Sequence, residues 1–400
     1  MKSFRITDPV KRKPLVLWAG ILLGLVTVYA TWLKYQAPPR AFEGSPLQYT
    51  GYNNYVIFRQ AYNHLLDHKD MYVLYPGEHH DYYKYSPGFA AAFGTLAWLP
   101  DGLGLIIWNL LNFFVFFLAL TRISVPWAAR IPLLLVFTFP ELLTSIQNLQ
   151  SNGLMTGLLL FAFIDFEKSK PGRAAIWIAL AAFIKIYAGL AALLFLIYPG
   201  RVRFLIHGLI AGSILFCLPM VLVPPGEMWI QYLGWWRILS QDHEASFGIS
   251  LLHLIHLVQP GFQSKTLVQA LGLILIVPAL FPLRKFSNIL SRVNLLALLL
   301  LTMVIYNHKS ESATFILAVT GIGIWYFSKS KPTGLETVSI GLAFIFTVLS
   351  ASDLFPVSVR KNWFVPYGIK LWPCILVYLL VLKELVLTGR AVQGAEEVRG

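Results

Sequence analysis

The chain has 400 residues, of which 57% are hydrophobic and only 13% charged, with a mean hydropathy of +0.65. That balance excludes an ordinary soluble domain and describes an all-α polytopic membrane protein. The net charge of +13 is the Lys and Arg excess that short cytoplasmic loops carry, so it calls for no nucleic-acid partner.

Five basic residues precede Pro14, and the apolar run 15–33 that follows is about one bilayer span long with no small-residue cleavage site after it. It is expected to be an uncleaved first helix. A long polar insertion comes next, 34–102. Within it, apolar positions at 57, 58, 61, 65 and 66 have helical spacing, which predicts an amphipathic surface helix over 54–67 with Asn53 or Asn54 as its N-cap. Residues 88–99, bounded by Pro87 and Pro100, are apolar but too short to span and predict a re-entrant or interfacial helix. Further apolar runs follow at 103–121, 131–147, 152–166, 174–185, 187–199, 204–223, 265–283, 293–306, 313–327, 335–352 and 366–387, with a short interfacial piece at 248–258 inside a second outer loop, 225–264. The run 174–199 reads as a short helical hairpin with Lys185 near its tip.

About twelve passes result, forming a single integral domain over 1–400. Most of the 32 Lys and Arg fall on the side of the N-terminus, which predicts cytoplasmic termini and an outer face carrying the insertion. Cys217 and Cys374 both lie in apolar runs, so neither a disulfide framework nor a metal site is indicated.

The candidate chemistry gathers on the outer side. Glu78-His79-His80-Asp81 lacks metal-ligand spacing, and its carboxylates lie among tyrosines just before the re-entrant helix, where Asp81 and Glu78 are candidates for an acid or base. Gln147 to Gly153 interrupts two apolar runs with amides, which must bond their own backbone or line a cavity. Lys185, amid Ala181-Ala182-Phe183-Ile184 and Ile186-Tyr187-Ala188, is costly in lipid unless it snorkels or meets an anion. Arg237, beside Asp242-His243-Glu244, and His308-Lys309-Ser310-Glu311 share its sidedness. Basic side chains at the lipid boundary suit the phosphate of a lipid-linked substrate, although solvation alone accounts equally for Arg237 and Lys309.

The order of these features resembles the GT-C membrane glycosyltransferases: one helix, a long outer loop, Tyr82 to Pro87 leading into a re-entrant helix, Leu99-Pro100, Trp108-Asn109-Leu110-Leu111-Asn112, Gln147 to Gly153 and Ala181 to Lys185. It is most similar to glycosyltransferase family 87, the polyprenyl-phosphate-mannose-dependent mannosyltransferase-like group, over about 15–325. The resemblance implies a GT-C-like bundle in the plasma (inner) membrane. It implies an inverting transfer of a hexose from a polyprenyl-phosphate-sugar donor to a glycolipid or glycan acceptor at the outer, periplasmic face, with membrane lipid as the other partner and no cofactor or metal. Lys185 carries over as a donor-phosphate ligand, joined by Arg237, His308 and Lys309. Asn53, Asn54, Tyr85, Gln147, Asn152 and His243 are the candidate acceptor- and sugar-binding side chains. The family usually has an aspartate at the start of the surface helix, where this chain has Asn53-Asn54, and an amide cannot take a proton at neutral pH. The base has moved, the activity differs, or the chain is a degenerate relative; if the base has moved, Asp81 is the first choice, Glu78 the second and Asp242 the third. The alternatives from other classes are a transporter or flippase of lipid-linked sugars, and a ligase or polymerase acting on lipid-linked glycans.

Overall fold

The computed structural model of the protein describes residues 13–42, 46–123, 130–241, 247–286 and 288–397. The described residues are predominantly helical. The only strands among them are a two-residue antiparallel pair, β1 (Arg40–Ala41) and β2 (Gln48–Tyr49), in the polar insertion.

Each apolar run recognised in the sequence is helical. Helices α1 (Lys13–Gln36), α4 (Asp101–Arg122) and the run Arg201–Val221, which begins as α8 (Arg201–Cys217), are long and apolar enough to cross a membrane, and the bent pair Val357–Phe364 and Ile369–Leu387 makes a fourth if counted as one span. The other apolar helices, among them α5 (Ile131–Gln147), α6 (Asn152–Glu167), α7 (Pro171–Ile184), α12 (Ile289–Ile305) and α13 (Ile316–Phe327), are shorter than a full span. Leu205, Ile206, Leu209, Ile210 and Ile214 are all exposed along α8, and a continuous apolar face of that kind is compatible with hydrocarbon as its surroundings.

The insertion packs down onto the bundle. Helix α2 (Asn53–Leu66) buries Tyr55, Ile57, Phe58, Ala61 and Leu65, one face at helical spacing. Phe58 sits edge-on to Phe89 and Phe93 of α3 (Pro87–Ala97) and to Trp108 of α4, with ring centroids 5.4 to 5.7 Å apart. The approach requires glycine at Gly94, because a Cβ there would overlap the Tyr62 ring. The N-cap of α2 is Tyr52, not an asparagine. Asn53 lies one residue inside the helix, and its amide is spent elsewhere: it donates to His80 O and accepts from His80 N, both at 2.8 Å. The expected cap is therefore a clamp that ties the start of α2 to the Glu78–Asp81 tract.

Pro87 starts α3 and Ser86 caps it, accepting from Phe89 N. Ser86 also donates to Phe183 O at 2.5 Å. That carbonyl is free because α7 stops at Ile184: Lys185 is extended, at φ −138° and ψ 117°, and an eleven-residue 3₁₀ helix, Ile186–Leu196, continues beyond it. A 3₁₀ run of that length is uncommon and marks a chain under local constraint. The expected break at Lys185 is present, and the insertion is pinned to it.

Candidate active site

Three polar segments converge around Lys185. The first is the turn between α5 and α6. Leu149 takes the left-handed conformation at φ 55°, and the turn is held from below by α4: Trp108 Nε1 donates to Leu149 O at 3.1 Å, Asn109 Nδ2 to Ile146 O at 3.2 Å, and Asn112 Oδ1 accepts from Leu154 N at 2.8 Å. The Trp-Asn-x-x-Asn sequence is thus the scaffold that supplies partners to Leu149 O, Ile146 O and Leu154 N in an amide-rich turn at a helix junction. The turn presents Gln150 and Asn152, whose side-chain oxygens accept from Lys185 Nζ at 3.1 and 2.8 Å.

The second segment is the end of the insertion. Tyr85 lays its ring 5.6 Å from Lys185 Nζ, and its hydroxyl donates to Gln150 Oε1 at 3.3 Å. Burial raises the pKa of the Tyr85 phenol, so it remains a neutral donor. Asp81 has φ 80°, a left-handed backbone uncommon outside glycine that costs of order 1–3 kcal/mol and must be over-determined by its surroundings. Its carboxylate accepts from Tyr82 N at 2.7 Å and from Lys84 Nζ at 3.1 Å. Helix α9 (Pro225–Gln241) holds this stretch from outside, Trp235 Nε1 donating to Lys84 O at 3.1 Å and Gln231 Nε2 to Lys69 O at 2.8 Å.

The third segment follows α12. Glu311 caps the short 3₁₀ helix Ser312–Phe315 through a capping box with Thr314 and accepts from Gln150 Nε2 at 2.8 Å. Gln150 therefore stands between a carboxylate and an ammonium and bonds both. The loop is anchored from the interior, where Lys370 Nζ donates to Ser312 Oγ and to Glu141 Oε1, each at 2.8 Å.

The three segments enclose a cavity of about 500 Å³. Of the residues singled out from sequence, Asp81, Lys185, His308, Lys309, Asn54 and Tyr85 line it together. Asn152 lies behind Lys185 as its hydrogen-bond partner. Glu78 does not line the cavity: it pairs with His64 at 2.9 Å, one layer back in the insertion. Arg237 is exposed on α9 and also stays outside the lining, while Gln147 faces a second groove and Asn53 serves the His80 clamp. Asp242 and His243 lie outside the described residues. Glu311, Gln150, Lys84 and Lys265 line the cavity without having been singled out. Glu311 and Gln150 stood beside residues that were, the first in the His308 tract and the second in the amide run. Lys265, whose ammonium donates to Leu239 O and Ser240 O, gave no signal as a single cation at a helix start.

Chemically, the arrangement is a water-sized-to-sugar-sized pocket with two carboxylates, several ammonium groups and neutral amides. The central cation is held by uncharged oxygens. Among the described residues no carboxylate lies within ion-pair distance of Lys185, so its charge is available to an incoming anion.

Comparison with curated proteins gives no match to the chain. A family model does: the one for glycosyltransferase family 87 matches residues 83–306, more than half the chain and the part that carries Tyr85, the amide turn and Lys185. The chain belongs to glycosyltransferase family 87.

Proposed function

We propose that the protein is an inverting hexosyltransferase that takes a mannose-like sugar from a polyprenyl-phosphate donor and delivers it to a lipid or glycan acceptor at the outer face of a multi-pass inner-membrane bundle. The observation that carries this reading is the coordination of Lys185: an ammonium at a break between apolar helices, solvated by the Gln150 and Asn152 carbonyl oxygens alone, in the same cavity as Asp81.

The donor phosphate binds at Lys185, with Lys309 adding positive potential along the wall while Lys84 stays paired with Asp81, and the polyprenyl chain remains in the bilayer. Asp81 accepts the proton of the acceptor hydroxyl. The hydroxyl oxygen bonds to the anomeric carbon from the face opposite the phosphate, and the bond from that carbon to the phosphate oxygen breaks. Its electron pair leaves on polyprenyl phosphate, and configuration inverts. The growing charge on the leaving phosphate is offset by groups fixed beforehand, which is where most of the rate enhancement in such sites arises. The Asp81 carboxylate contributes a further factor of about 10²–10⁴ as general base. No metal or nucleotide enters the step.

The test is incubation of the purified protein with radiolabelled polyprenyl-phosphate hexoses and a total membrane lipid extract. Label moving from the carrier to a new lipid or glycan fraction is expected. Label that stays on the carrier for every hexose overturns the reading.

A further inference from the structure

A second groove lies on the far side of Asn54. It has a volume of about 520 Å³ and runs between the C-terminal halves of α1 and α5, with Tyr29 and Leu33 exposed along its apolar wall and Lys34, Arg40, Gln147 and Asn148 as its polar lining. Lys34 closes α1 and Arg40 opens β1, so one chain turn brings the two cations to the same rim. Among the described residues neither is in an ion pair. Two like charges left side by side at the end of an apolar helix repel each other, and a bound anion removes that cost.

Behind the rim a hollow of about 60 Å³, which also touches Lys34, Arg40 and Asn148, reaches Asn53 and Asn54. Asn54 lines the Lys185 cavity as well, and its amide donates to Asn148 O at 2.8 Å. Asn54 therefore borders both the hollow and the Lys185 cavity.

We propose that this groove binds an anionic phospholipid as the acceptor, its phosphodiester between Lys34 and Arg40, its acyl chains along Tyr29 and Leu33, and a headgroup hydroxyl directed past Asn54 toward Asp81. The occupant follows from charge complementarity at the rim and from an apolar wall that continues a helix long enough to span a bilayer. The assignment of the lipid as acceptor rests on the transferase reading; the binding of the lipid does not.

The experiment uses the full-length protein in detergent and native mass spectrometry with dioleoyl phosphatidylglycerol and dioleoyl phosphatidylcholine as probes. The wild type retains phosphatidylglycerol about tenfold more tightly than phosphatidylcholine, and Lys34→Gln with Arg40→Gln abolishes that preference. Lys361→Gln, which removes an exposed cation elsewhere, leaves it intact. A preference that survives in the double variant, or that falls equally in Lys361→Gln, overturns the site. Polyprenyl-phosphate binding, followed in the same way, persists in the double variant because Lys185 is untouched. Failure of the wild type to bind that donor counts against the transferase reading while the lipid result stands. In the transfer assay the double variant raises the acceptor KM about tenfold at an unchanged donor KM. An unchanged acceptor KM overturns the acceptor assignment.

Discussion

Lys185 and Lys370 are both lysines inset among apolar helices, and they are satisfied in opposite ways. Lys370 is 5% exposed and meets a full countercharge, the completely buried Glu141, together with the Ser312 hydroxyl. Lys185 meets two amide oxygens and the face of Tyr85, and opens onto a cavity. At the other end of α6 the logic of Lys370 recurs: Arg292 forks onto Glu167 at 2.6 and 2.8 Å, and Tyr198 bonds the same carboxylate. Ion pairs with charge already balanced hold helices in register. A cation solvated only by dipoles keeps its charge for a ligand, and that difference separates the working part of the molecule from its frame more sharply than burial does.

The comparison breaks most visibly under substitution of the two lysines. Lys185→Met is expected to lower transfer by at least about a hundredfold while the melting temperature in detergent stays close to wild type, because only neutral partners are left behind. Lys370→Met strands Glu141 in the interior and is expected to cost about 3–5 kcal/mol of stability; adding Glu141→Leu recovers most of it. Thermal unfolding beside a turnover assay separates the two patterns. Equal loss of stability in both variants would mean that Lys185 is frame as well.

Two carboxylates of the insertion sharpen the contrast next. Asp81→Asn is expected to reduce turnover by about 10²–10⁴, whereas Asp67→Asn, a surface carboxylate whose neighbour is Lys69, leaves it unchanged. Single-turnover rates with bound donor are the measurement, and equal effects leave Asp81 without its role as base.

Much of this contrast was legible in the chain itself. An interrupted apolar run with one lysine, an amide-rich junction and a short apolar stretch bounded by Pro87 are local signals, and each became the expected break, turn or helix start. What was not legible were partnerships across the sequence. Asn53 reads as a helix cap until His80, 27 residues on, claims both ends of its amide. Glu78 and Asp81 are nearly indistinguishable as letters, yet His64 draws the first away and a left-handed backbone turns the second toward the cavity. Glu311 acquires its meaning only from Gln150, 161 residues earlier.

Gln150 offers a finer probe, since it is the neutral link between Glu311 and Lys185. Gln150→Glu removes the donor to Glu311 and sets a carboxylate beside the ammonium, so that Lys185 becomes the countercharge of a carboxylate, as Lys370 is. The donor KM is expected to rise about tenfold, with a smaller change in kcat, because the new carboxylate competes with the phosphate for one cation. A donor KM equal to wild type would show that Lys185 does not hold the phosphate.

The smallest expected effect concerns pH and the frame of the insertion. His64 is buried against Tyr75, with Glu78 at 2.9 Å, and His79 is buried beside it. For His64 burial lowers the pKa, against the pull of Glu78 and Asp67, which raise it, and the push of Lys69, which lowers it; for His79 burial again lowers it, opposed chiefly by the backbone contact with Asp81. Both rings therefore take up a proton less readily in the folded loop than in an unfolded one, where the value is about 6.5. The stability they contribute is complete above that value and is lost as pH falls below it toward the folded-state pKa values. Protection of the amides across 64–81, taken relative to their intrinsic exchange at each pH, is expected to fall between pH 7.5 and 5.5 in the wild type and to change less in His64→Gln with His79→Gln. Asp81 rides on this segment, so an acid limb in the transfer rate should weaken in the same variant. An acid response of identical size in both proteins would assign the loosening to the carboxylates instead and remove the histidines from the frame's pH dependence.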